Sequence, residues 1–77
     1  MKEQLQKYLE TELHYTQIGV EQVRNDPAGY AYATPDRIIQ LGIQRGLGAT
    51  QFAMQMGLSY TVAEEAYEAF KARVEVL

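Results

Sequence analysis

An all-α fold follows from three features of the chain. Apolar residues recur at helical spacing in separate stretches, proline or glycine stands between those stretches, and no alternating run is long enough to build a sheet. The 77 residues read as a single helical domain, 1–77, because a chain of this size buries only about 60 % of its unfolded surface and supports one small core. Scaffolds this small usually add a disulfide, a metal or a partner subunit. With no cysteine and one histidine in the chain, association is the staple left over.

Leu5, Leu9, Leu13, Thr16, Val20 and Val23 fall on one stripe at about 100° per residue, with Glu3, Lys7, Glu10, His14, Gln17 and Glu21 opposite. That pattern predicts a long amphipathic helix over residues 2–24. Tyr8, Tyr15 and Ile18 form a second stripe beside it, wider than one neighbouring helix needs to cover. Asn25, Asp26, Pro27, Ala28 and Gly29 make a turn cluster that stops the helix. Tyr30, Ala31, Tyr32 and Ala33 alternate in the strand manner but are too few to make a sheet, so residues 25–33 read as a connector, extended over its last four.

Thr34, Pro35 and Asp36 open a second helix with a hydroxyl cap, a proline at the first helical position and a carboxylate near the positive end of the dipole. Ile38, Ile39, Leu41, Gly42 and Ile43 give it a broad apolar arc, expected to be the most buried element, with Gly42 placed for a close approach. The run Arg45-Gly46-Leu47-Gly48 is expected to end this helix, with Gly46 as a left-handed cap, and a third, short helix is expected over residues 49–56. Gly57, Leu58 and Ser59 form the next turn. Thr61, Val62, Ala63 and Glu64 then match a capping box and start a fourth helix. Its apolar face carries Val62, Ala66, Phe70, Val74 and Leu77, flanked by Ala63 and Tyr67, and its polar face Glu64, Glu68, Lys71 and Glu75. The expected architecture is a long N-terminal helix, a connector, and a three-helix C-terminal unit over residues 34–77.

Residues 53–62, Ala-Met-Gln-Met-Gly-Leu-Ser-Tyr-Thr-Val, resemble the core of the helix-turn-helix found in many bacterial transcription regulators. The likeness runs over residues 49–70, with Ala53 as the small residue where the helices touch, Gly57 as the turn glycine and Leu58 following it. The apolar anchor usual six positions after the glycine is Ala63 here, with Val62 one place early. The resemblance implies a hairpin of that shape in a bacterial or phage regulator whose fourth helix enters the major groove. Arg37, Arg45, Gln51, Gln55, Tyr60 and Thr61 are then the candidate DNA contacts. Chemistry opposes this, because base readout normally uses Arg, Lys, Asn or Gln and affinity rests on cations meeting phosphates, whereas Glu64, Glu65 and Glu68 stand at the head of that helix. The net charge of −3 is also opposite to a nucleic-acid footprint.

Other chemistry is thin. Glu10 and His14 lie one turn apart, with Glu21 further along, but a lone histidine on a charged face is more often solvated, and zinc takes three or four ligands. No metal or other cofactor is expected. The acids Glu64, Glu65 and Glu68 are accounted for by the helix dipole. Arg45-Gly46-Leu47-Gly48 lacks the lysine and hydroxyl of a phosphate loop, and Ser59, the only serine, has no histidine near it in sequence. These absences argue against an enzyme.

Six tyrosines against two phenylalanines and no tryptophan are the odd feature of the composition, and tyrosine is enriched at interfaces. Tyr8, Tyr15 and Ile18, with Tyr30 and Tyr32 on the connector, are therefore the candidate protein-binding residues. The favoured reading is a small non-enzymatic regulatory protein that binds itself, as a homodimer, or another protein. A DNA-binding regulator is the alternative, and an acidic inhibitor of a nucleic-acid-binding protein, using Glu64, Glu65, Glu68 and Glu75, is the third. The charged N-terminus has no signal-peptide pattern, and the longest uncharged run, residues 46–63, is broken by glycine and glutamine and too polar for a bilayer. A cytoplasmic protein with no membrane segment is the expectation.

Overall fold

A computed structural model describes residues 1–30 and 32–77, and among these it is all-helical with no strand. The order is α1 (Lys2–Asn25), a single 3-10 turn (Ala28–Tyr30), α2 (Pro35–Gln55) and α3 (Tyr60–Glu75). The Cα atoms extend over 44 × 16 × 16 Å. At about 1.5 Å per residue the three helices are roughly 36, 31 and 24 Å long, so each must lie near the long axis, in an up-down-up bundle where every helix touches the other two.

The six residues of the predicted α1 stripe, Leu5, Leu9, Leu13, Thr16, Val20 and Val23, are the six that α1 buries. Three of them, Leu5, Leu9 and Leu13, share a core cluster with Ala53 from α2 and Ala63, Phe70 and Val74 from α3. Complete burial of a leucine or phenylalanine contributes about 1.5–3 kcal/mol, so α1 and α3 supply most of the apolar volume. The α1 C-terminus is tied to the chain end by the Arg24 guanidinium, which donates to the Leu77 carbonyl.

The second and third helices of the sequence reading are one continuous helix, α2. Gly46 is no cap: it is buried inside α2, and a Cβ placed there would lie 2.2 Å from Cε2 of Phe70. The absent side chain makes room for an aromatic ring rather than for a left-handed turn. The expectation that this helix is the most deeply buried also fails. Its buried positions are Gly42, Gly46, Thr50 and Ala53, while Ile38, Ile39 and Ile43 are half-buried and Leu41 is exposed. Small residues on this face let both neighbours come close, and the bulk arrives from them. Opposite Gly42, a Cβ would meet Oγ1 of Thr16 at 2.5 Å. The buried hydroxyls of Thr16 and Thr50 are satisfied locally, donating to the Glu12 and Gly46 carbonyls at 2.7 and 2.8 Å.

Thr34 caps α2 as predicted, its hydroxyl accepting from the Arg37 amide, with Pro35 at the first helical position. The turn after α2 is a Schellman motif: the Leu58 amide donates to the Ala53 carbonyl and the Gly57 amide to that of Met54. Gly57 holds φ at +110°, the one positive φ among the described residues. The cap of α3 is Ser59, whose hydroxyl accepts from the Val62 amide, so the helix starts before the predicted Thr61 box. The fully buried α3 positions are accordingly Ala63, Phe70 and Val74, with Val62, Ala66, Tyr67 and Leu77 half-buried. In the connector, the Asp26 carboxylate accepts from the Gly29 amide, and Tyr30 belongs to the 3-10 turn. The extended reading therefore fails at Tyr30 and at Tyr32, which stands in a turn, while at Ala31 it lies outside the described residues.

Candidate protein-binding face

Antiparallel packing sets α1 and α2 side by side with matched rungs. Gly19 faces Ile38, Thr16 faces Gly42, and Glu12 lies 3.9 Å from Arg45. Towards the α1 N-terminus this seam opens into a groove of about 440 Å³ walled by Met1, Tyr8, Ala49, Phe52 and Met56, with Leu5 and Ala53 also lining it. Phe52 is 62 % exposed, Met56 59 % and Tyr8 45 %. Leu41 and Met1 are exposed as well, and so is Tyr15, at 62 %, two helical turns beyond Tyr8. A second groove, of about 330 Å³, runs between α1 and α3 beside the ion pair of Arg73 with Glu10.

Next to the first groove, Glu12 lies in the α1–α2 seam between Tyr8 and Arg45. Its side chain is only 14 % exposed, and Oε2 has no hydrogen-bond partner among the described residues. Partial burial first, and then the neighbouring Glu12 carboxylate, hold the Tyr8 phenol above its ordinary pKa. Arg45 works in the opposite direction. At the head of α3, the Tyr60 phenol is raised too, chiefly because Glu64 accepts its hydrogen bond and then through the charge of that carboxylate.

The predicted protein-binding residues are split by the fold. Tyr8 and Tyr15 lie on the α1 flank next to α2 and are exposed, whereas Ile18 is half-buried. Tyr30 and Tyr32 are exposed at the opposite end of α1, in the connector, Tyr32 at 98 %. Phe52 and Met56 wall the groove without having been singled out from the sequence, and Leu41, read there as part of a buried arc, is exposed. The signal was present: over an unbroken helix, Leu41, Phe52 and Met56 share one side, but a break at Gly46 separates Leu41 from the other two.

The residues considered for DNA are dispersed. Arg37, Arg45, Gln51 and Gln55 are spread along α2, with about 27 Å of helix between the first and last. Arg45 is turned towards Glu12. Tyr60 and Thr61 are exposed beyond the Gly57 turn, at the opposite end of the bundle from Arg37. Among the described residues, no group of three or more acidic, histidine or cysteine side chains is placed to hold a metal, and no helix is long and apolar enough to cross a membrane. Comparison of the chain with protein-family models, with curated proteins and with solved structures finds no match.

Proposed function

We propose that this chain is a small non-enzymatic regulatory protein that acts by binding protein through the apolar face shared by α1 and α2. The observation that carries the reading is the groove walled by Met1, Tyr8, Phe52 and Met56, all of them open to solvent. Single exposed apolar residues are ordinary, whereas a contiguous patch around a groove marks an interaction surface. Aromatic residues and methionine are also the types enriched at interface cores. The groove's lining, which includes Met1, Leu5, Tyr8, Ala49, Phe52, Ala53 and Met56, carries no acidic or basic side chain.

A photoreactive amino acid placed at Phe52 or Tyr15, and at Glu68 on the acidic side of α3 as control, tests the proposal in the cells that make the protein. Discrete protein adducts are expected from positions 52 and 15 and not from 68. Equal labelling from all three positions, or none from any, sinks it.

A further inference from the structure

Sulfur in this chain is confined to Met1, Met54 and Met56, since there is no cysteine. The fold gives the two at the C-terminal end of α2 opposite surroundings. Met56, the residue that closes the helix, is exposed and walls the α1–α2 groove beside Phe52, with Met1, also exposed, on the same groove. Met54 stands two residues earlier and therefore about 200° away round the helix. It is half-buried against the core cluster that holds Leu5, Phe70 and Val74.

Oxidation of a thioether to a sulfoxide turns a flexible apolar side chain into a polar one. At Met54 the new oxygen would press on the core, where an unpaired polar group costs stability. At Met56 it would not. The hydrogen bonds that close α2 are main-chain bonds, from the Met56 amide to the Phe52 carbonyl, from Gly57 to Met54 and from Leu58 to Ala53, and none of them uses the Met56 side chain. A sulfoxide at Met56 therefore changes the groove and leaves the bundle as it is.

We propose that Met56 is an oxidation site, through which an oxidant of the peroxide class weakens binding in the groove without unfolding the chain. A lone pair on Sδ of Met56 attacks one peroxide oxygen, and an S–O bond forms as the O–O bond breaks. The departing hydroxide takes the proton of the transferred oxygen and leaves as water. Sulfur loses two electrons and the peroxide gains them. Sulfoxides of methionine are reducible by dedicated reductases, so the change is reversible. An apolar group that packs on the thioether would meet instead a polar S=O, which must give up its water for no hydrogen bond in return. Because the oxidant reaches this sulfur only while the groove is open, oxidation and partner binding exclude each other. Met1 offers the oxidant a second sulfur on the same groove.

The proposal rests on the reading of this groove as a protein-binding site, and two measurements test it. The purified chain, treated with hydrogen peroxide and followed by peptide mass spectrometry, is expected to gain one oxygen atom at Met56 at least about threefold faster than at Met54. Its helical circular dichroism is expected to stay unchanged while Met56 alone has reacted. In cells, the photoreactive side chain at position 52 is expected to give several-fold fewer protein adducts after peroxide. Met56→Leu, which keeps an apolar side chain of similar size and has no sulfur to oxidise, is expected to retain most of them. Equal rates at Met56 and Met54, or an equal loss of adducts with and without Met56→Leu, overturns the proposal. Adducts that persist although Met56 is oxidised overturn it too and leave the binding face standing. If position 52 gives no adducts even before peroxide, the binding face falls and this proposal falls with it.

Discussion

Two glycines two positions apart in α2 do opposite things. Gly46 makes room for the Phe70 ring, and Gly48 faces open space. Gly46→Ala gains about 1 kcal/mol of helix propensity but drives a methyl group into a buried ring. Overpacking of that kind costs about 1–3 kcal/mol, so net destabilisation is expected, relieved in part by Phe70→Leu in the same chain. Gly48→Ala meets nothing and is expected to stabilise the fold by about 0.5–1 kcal/mol. Urea denaturation of both variants at low micromolar concentration measures the contrast, and equal midpoints for the two count against the packing described. Sequence alone does not separate these glycines, since a helix cap and a contact surface both call for a missing Cβ. Only the neighbour decides, and Phe70 lies on another helix. By contrast, the α1 leucines were legible because their stripe depends on one helix's own repeat.

Helix ends are fixed by a few hydrogen bonds, and here they distinguish two starts for α3. Ser59→Ala removes the hydroxyl that accepts from the Val62 amide and is expected to cost about 1 kcal/mol, within the range for capping residues. Thr61→Ala, at an exposed position inside the first turn, is expected to change stability by less than about 0.5 kcal/mol. Thermal unfolding of the two variants checks the order, and a larger loss for Thr61→Ala would restore the later start. The Thr34 cap was legible because Pro35 fixes the helix position beside it. Ser59 was obscured because Thr61 offers a capping pattern with Glu64 of equal local quality. The continuity of α2 has a larger effect on the candidate site. Once residues 35–55 share one helical phase, Leu41 and Phe52 stand on one face and the proposed binding surface extends from α1 onto α2.

The bundle as an entity responds to alkaline pH through two phenols. Tyr8 and Tyr60 both have raised pKa values in the folded chain, so the folded state holds these protons more tightly than the unfolded chain does. Below about pH 10, the ordinary tyrosine value, both states are protonated and the contribution to stability is complete. As pH rises above that value the unfolded chain releases its protons first, and stability falls. Urea midpoints measured from pH 9 to 11 are expected to decline, and to decline less in a Tyr8→Phe, Tyr60→Phe double variant; an identical slope in that variant contradicts the shifts. The all-helical build was legible from periodicity, whereas the arrangement of the helices depends on contacts between residues far apart in sequence. With glycine at 42, 46 and 48, α2 has little helical preference of its own through its middle, and the Phe70 and Thr16 side chains pack against it at Gly46 and Gly42. Those two side chains belong to α3 and α1, so the helical form of this glycine-rich stretch is a property of the assembled bundle more than of the segment alone.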